Sequence, residues 1–376
     1  MQKNRGAVPK QANKQAVTTV FLLSAVLALS ACGHTEAAPP AIPMNVVTQT
    51  IRDYGRGHQL SPAPANQAKP EEADEMYCAH IHSLLLQEDF GQLEKIAAQN
   101  RVDKGRLIGG VFKTGSFYTG TGATSCLETG TEAEHLSRIT LLTKWTAAYP
   151  DSVTPRLALA TLYIDYAWVA RGRGTADTVS RKGWRLFRGR TAQAKDILIR
   201  AASLKDKDPQ WYVVMQMVAQ NEGWEQADAR ELLDQALGFD PDFYPFYRFH
   251  SIYLLPQWYG NPGDIQALAD EAASKYPEPQ GSMLYFRIMS TLACYCGQNP
   301  EQLKGADWQK LQLGSANIEK AYGLSGLNAN RFSEMAFVFG DKAVAREAFG
   351  RITQRDDAAW VDEQSFQYAR NWASAP

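Results

Sequence analysis

The chain is expected to be all-α, a helical-repeat array (an α-solenoid) that follows an N-terminal signal and a disordered tether. Three observations predict it. From Glu71 onward apolar residues recur three and four positions apart, as in Tyr77, His80, Ile81, Leu84 and Leu85, or Leu136, Ile139, Leu142 and Trp145, which is the period of a helix with one buried face. Helical runs also close on similar signals: Ala148-Tyr149-Pro150, Lys207-Asp208-Pro209, Phe239-Asp240-Pro241 and Lys275-Tyr276-Pro277. Proline cannot continue a helix, and it pushes the residue before it out of the helical region. Small residues (Ala227, Ala229, Ala236; Ala267, Ala269, Ala272, Ala273; Ala343, Ala345, Ala348) sit where neighbouring helices would approach closely. One helix pair cannot bury its apolar face alone, so stacked pairs build the core.

Taken from the N-terminus, the chain opens with Lys3, Arg5, Lys10 and Lys14 and no acid, then an apolar run from Ala16 to Leu29. That run has the length of a secretory core segment and is short for a membrane span. It closes in Leu29-Ser30-Ala31-Cys32, small residues directly before a cysteine, which resembles the bacterial lipobox. The resemblance implies that residues 1–31 are a removable signal and that Cys32 carries a diacylglycerol. Gly33, where an aspartate would favour inner-membrane retention, implies the outer membrane, facing the periplasm. Residues 32–70, rich in Ala, Pro, Gln and Asn, are read as a flexible tether. Within it Met44-Asn45-Val46-Val47 is read as a short strand-like contact.

The repeat domain is expected over 71–376. Between Asn100 and Glu132 the helical pattern gives way to a Gly- and Thr-rich stretch, expected to be a long loop or small hairpin packed on the first helices. A long apolar helix follows around Leu157 to Trp168. The punctuating prolines 150, 209, 241 and 277 lie 59, 32 and 36 residues apart. Two of these intervals sit near the period of about 34 of tetratricopeptide-type helix pairs. The surplus in the first is assigned to an insertion at Arg171–Asp177.

Composition narrows the function. Without residues 1–31, Lys+Arg falls from 39 to 35 against 40 Asp+Glu, a net charge near −5 that argues against nucleic-acid binding. No later apolar run is long enough for a membrane span, so the membrane partner is reached through the lipid alone. Four further cysteines remain: Cys78, Cys126, Cys294 and Cys296. Disulfides are allowed in an oxidising periplasm, and Cys78 with Cys126 is the favoured pair because it ties the Gly/Thr-rich stretch to the first helix. Cys294 and Cys296 stand two apart and are read as buried thiols.

The middle of the chain resembles a family of bacterial envelope proteins that carries a domain of unknown function with tetratricopeptide-like helices. The matching stretches begin at Gly109 (GGVFKTGSFY), Pro155 (PRLALA), Tyr163 (YIDYAWVARG), Gly183 (GWRLF), Asp208 (DPQWY) and Leu254 (LLPQWYGNPGD). The resemblance implies fold and compartment and brings no activity with it.

Candidate functional residues are few. Cys78, His80 and His82 suggest a zinc-type set, but on one helix only Cys78 and His82 share a face, so incidental histidines are the reading preferred and no metal is assigned. The densest basic run (Arg171, Arg173, Arg181, Lys182, Arg185, Arg188, Arg190) is a candidate surface for an anionic partner, set against a solvated helix face balanced by acids. Trp258 and Tyr259 form a candidate recognition loop or a shaped turn packed under the next helix. Partner-binding candidates are therefore Arg171, Arg173, Arg185, Arg188, Trp258 and Tyr259. The chain contains no nucleophile elbow, P-loop, zinc-protease motif or complete dinucleotide fingerprint, and no cofactor or catalytic residue is assigned. The reading that results is a lipid-anchored scaffold binding an envelope protein or peptide on its concave face. The alternatives are a cell-wall or glycan-active enzyme and a periplasmic immunity or inhibitor lipoprotein.

Overall fold

The computed structural model describes residues 39–62, 68–122, 130–172, 174–293 and 300–375. Its helices are α1 (Met44–Tyr54), α2 (Asp74–Leu86), α3 (Phe90–Asp103), α4 (Lys113–Gly120), α5 (Glu132–Ala148), α6 (Thr154–Arg171), α7 (Arg181–Ala201), α8 (Gln210–Glu222), α9 (Gln226–Phe239), α10 (Pro245–Tyr253), α11 (Asp264–Lys275), α12 (Gln280–Met289), α13 (Pro300–Leu303), α14 (Trp308–Tyr322), α15 (Gly326–Val338), α16 (Lys342–Gly350) and α17 (Glu363–Ser374). Among the described residues there is no strand, only an isolated bridge between Arg106 and Phe112. The protein is all-α.

Local chemistry sets many helix ends. Side chains of Asp89, Ser180, Asp307, Ser325, Asp341 and Asp362 accept hydrogen bonds from the first-turn amides of their helices, and Thr131 with Glu134 forms a reciprocal capping box on α5. Pro155 and Pro245 stand in the first turns of α6 and α10, where the missing amide costs nothing. Gly223 closes α8 in the left-handed region (φ 68°).

From α5 to α12 each helix packs against the next, and α6, α8, α10 and α12 also pack on one another in a row. Helix α8 is buried on all sides, from Gln210 to Gln220 almost without a break. The reason is the N-terminal part of the chain. Tyr54 of α1 stacks on Trp211 at 4.2 Å and meets Tyr212 edge-on. Phe112 packs on Phe243 and Tyr244 beside α10, and the turn at 108–110 packs on α14. The face of the α6–α8–α10–α12 row that an open array would offer to a partner is thus covered by the protein's own residues. A second, smaller apolar cluster (Ala336, Ala345, Phe349, Trp360, Phe366, Ala369) joins α15, α16 and α17.

Several expectations are corrected. Residues 44–54 are helix, neither tether nor strand: Val47, Ile51 and Tyr54, at helical spacing, are 1–2% exposed. Three buried apolar anchors, with Met44 partly buried beside them, hold that helix in an otherwise polar stretch, which is why its composition resembles a linker. Residues 100–132 are not a helix-free loop, since α3 runs to Asp103 and α4 spans Lys113–Gly120, with Phe117 and Tyr118 buried. Helix α7 ends at Ala201, and Pro209 stands at the start of α8 instead of closing α7. The long first interval is taken up largely by the lengths of α6 and α7, 18 and 21 residues, and the Arg171–Asp177 insertion is only the turn between them. Ala227, Ala267 and Ala343 are exposed, whereas Ala229, Ala236, Ala269, Ala272, Ala345 and Ala348 are buried at helix contacts.

Candidate functional site

Two of the residues singled out from sequence, Arg171 and Trp258, meet in space. Arg171, the last residue of α6, lies among three half-buried indoles: its guanidinium carbon is 5.1 Å from the Trp168 ring centre, 5.7 Å from Trp184 and 5.4 Å from Trp258. Trp168 meets Trp258 edge-on at 5.6 Å, and Phe187 backs both Trp168 and Trp184. Helix periodicity explains the assembly. Trp168 and Arg171 are three apart on α6, and Trp184 and Phe187 are three apart on α7, so each pair shares a face. The Leu254–Asp264 turn then brings Trp258 across. Arg171 donates to the carbonyls of Gly172 and Gly174, while its Nε is buried without a hydrogen-bond partner. Indoles attract the cation by their ring quadrupoles, and its Nη1 is held by the two glycine carbonyls.

Tyr259, expected beside Trp258, faces elsewhere. It stacks on Tyr253 at 4.9 Å and lies over Gly223, where any added Cβ would fall 2.9 Å from its hydroxyl. Tyr259 therefore packs the α8–α10 junction and does not join the indole patch. Trp168 and Trp184 are the members the sequence reading missed, although their i, i+3 partners Arg171 and Phe187 carried the signal. Arg173 lies outside the described residues.

Arg185 and Arg188 are exposed on α7. With Gly189, Ala192, Lys195 and Glu222 they line an open cleft of about 320 Å³ that Pro39 to Ile42 also border. Arg190, from the same basic run, is not surface at all: it is 7% exposed, lies 3.1 Å over the Tyr166 ring and donates to the Tyr166 carbonyl.

Cys78 is buried and disulfide-bonded. Cys126, Cys294, Cys296 and Cys32 all lie outside the described residues, so its partner does too. His82 contacts the Gly120 carbonyl and Arg138. Burial and the nearby Arg138 charge hold its pKa down. His80 is exposed. Among the described residues no three His, Cys, Asp or Glu side chains converge as a metal site.

The structure also shows a polar network that the sequence reading passed over. The two Asp-Pro turns receive cations from one end of α3. Arg101 donates to Asp208 Oδ2 at 3.1 Å, and Tyr118 donates to the same oxygen at 2.8 Å. The Asp208 amide donates to the Tyr54 hydroxyl, which in turn donates to the Asp208 carbonyl. Lys104 donates to Asp240 Oδ1 at 2.7 Å, with both side chains at most 4% exposed. Burial pushes the Asp240 carboxyl up despite that partner. Further along, the Arg106 guanidinium lies 3.3 Å over Phe112, and Arg287 lies 3.9 Å over Tyr244 and donates to the Gly109 carbonyl. These contacts fasten the N-terminal part onto the helical row. Their signal in sequence was the aspartate before Pro209 and Pro241, read there only as punctuation.

No protein-family model, curated protein or solved structure matches the chain.

Proposed function

We propose that the chain is a lipid-anchored, periplasm-facing helical-repeat protein that binds an acidic segment of another envelope protein. The observation that carries this reading is Arg171, set among Trp168, Trp184 and Trp258. Half-buried tryptophans gathered around an arginine have the composition of an interaction hot spot. The basic-then-apolar leader ending in Leu29-Ser30-Ala31-Cys32 supports the anchor. The row formed by α6, α8, α10 and α12, each flanked by its sequence neighbours, supports the helical-repeat reading. Because α1, α3, α4 and residues 105–112 cover that row, the binding surface is moved from its face to the edge formed by the α6–α7 and α10–α11 connections.

The test is affinity capture from envelope extracts with the wild-type protein beside Arg171→Glu and Trp258→Ala. One specific partner, retained by wild type and weakened at least tenfold by either variant, is the expected result. Equal capture by all three proteins, or turnover of a cell-wall substrate without a partner, sinks the reading.

A further inference from the structure

We propose that the exposed basic face of α7 rests on the anionic phospholipid surface of the membrane that holds the anchor. The proposal builds on the lipidation reading of Cys32 and adds an orientation to it. Arg181, Lys182, Arg185 and Arg188 are all exposed in the first half of α7, and none of them forms an ion pair among the described residues. Three of them, Arg181, Arg185 and Arg188, follow the i, i+4, i+7 spacing of a single helix face. The acids nearby do not neutralise this face. Asp196 is paired with Arg200, and Glu222 with Lys195. Asp177, in the turn before α7, forms no ion pair with these four side chains among the described residues, and its carboxyl is held down by the Thr175 hydroxyl.

The course of the N-terminal chain selects a membrane as the occupant. Pro39, Pro40, Ala41 and Ile42 border the same cleft as Arg185 and Arg188, so the chain arrives at the folded part beside this face. Cys32 lies seven positions before Pro39, a span of at most roughly 25 Å when fully extended. A lipid on Cys32 is thus tied within that reach of Pro39, and Pro39 adjoins a basic face. From Cys32 on the chain carries a net excess of acid, 35 Lys+Arg against 40 Asp+Glu, so this unpaired basic face is what an anionic surface attracts. Attraction of this kind acts within a Debye length, about 8–10 Å, and accumulates with each basic side chain at the surface.

The test is hydrogen exchange of the purified lipidated protein on phosphatidylcholine vesicles with and without phosphatidylglycerol. Amides of 181–190 are expected to exchange severalfold more slowly on the anionic vesicles, and the slowing is expected to vanish in high salt and in Arg185→Glu/Arg188→Glu. Both residues are exposed, so the variant keeps its melting temperature and still floats with the vesicles through its acyl chains. Equal exchange on the two vesicle types overturns the proposal. Slowing that needs an added envelope protein and no anionic lipid overturns it in favour of a protein occupant. A mature chain whose mass carries no acyl group overturns the anchor reading, and the docking with it; mass reports that failure and exchange reports the other.

Discussion

Asp240 and His250 show what burial does to single charges in this fold. Lys104 Nζ and Asp240 Oδ1 are 2.7 Å apart with almost no solvent exposure. Removing Asp240 leaves the buried Lys104 with only the more distant Asp242 carboxylate, 3.9 Å away. Asp240→Ala is expected to lower stability by about 3–5 kcal/mol, measured by urea unfolding, while a Lys104→Met/Asp240→Leu double variant loses far less. A small loss in the single variant would mean that water reaches Lys104. His250, 5% exposed, has its pKa lowered to about 4 by burial first and the Arg230 charge second. The unfolded chain takes up this proton near pH 6.5, so the unfolded state binds more protons between the two values. The stability contributed by neutral His250 is complete above pH 6.5 and is lost as pH falls toward 4. That loss amounts to roughly 3 kcal/mol. Glu334, raised to about 8 by burial, acts in the opposite direction over an overlapping range. The measurement is therefore the stability of wild type minus that of His250→Gln, a difference expected to fall by roughly 3 kcal/mol as pH drops from 6.5 to 4. Parallel profiles would exclude the assignment.

Among the elements, the crossing of α12 and α14 depends on one missing side chain. A Cβ on Gly314 would sit 2.1 Å from the Ser282 carbonyl oxygen and 2.8 Å from Phe286 Cβ. Gly314→Ala must push the two helices apart, at an expected cost of about 1–3 kcal/mol by thermal or urea unfolding; a neutral change would show that the crossing is loose. Nothing in the sequence around Gly314 announces this, because glycine in a helix reads only as a weak helix former. Other boundaries were legible for a clear reason. The ends of α5, α9 and α11 at Ala148, Phe239 and Lys275 follow from prolines that act within a residue or two. The elements that escaped, α1 and α4, are held by partners far away in sequence: Tyr54 by Trp211, and Tyr118 by Asp208. Local pattern cannot report such partners. The same limit applied to the site. Arg171 was legible as part of a basic run and Trp258 as an aromatic in a turn, but their meeting depends on how α6, α7 and the α10–α11 connection pack.

For the whole molecule, the N-terminal part acts as an internal filler. Without α1, α3, α4 and residues 105–112, the α6–α8–α10–α12 row would expose Trp211, Tyr212, Phe243 and Phe246, each of which is at most 1% exposed. With that face covered, what the row leaves to solvent among the described residues is its edges and outer faces. The basic face of α7 and the Trp–Arg171 patch are both of that kind.

The fastening also sets a timetable. Arg101 waits for Asp208, 107 residues later, Lys104 for Asp240, 136 residues later, and the Gly109 carbonyl for Asn328, 219 residues later. A chain delivered N-terminus first, from the ribosome or through an export channel, presents α1 to α4 long before their partners emerge. Until then Tyr54, Phe112 and Tyr118 have nowhere to go. Contacts so distant in sequence close slowly, and apolar segments left exposed meanwhile are prone to aggregate. Fastening of the N-terminal part is therefore a late step, completed only after α15 has been made.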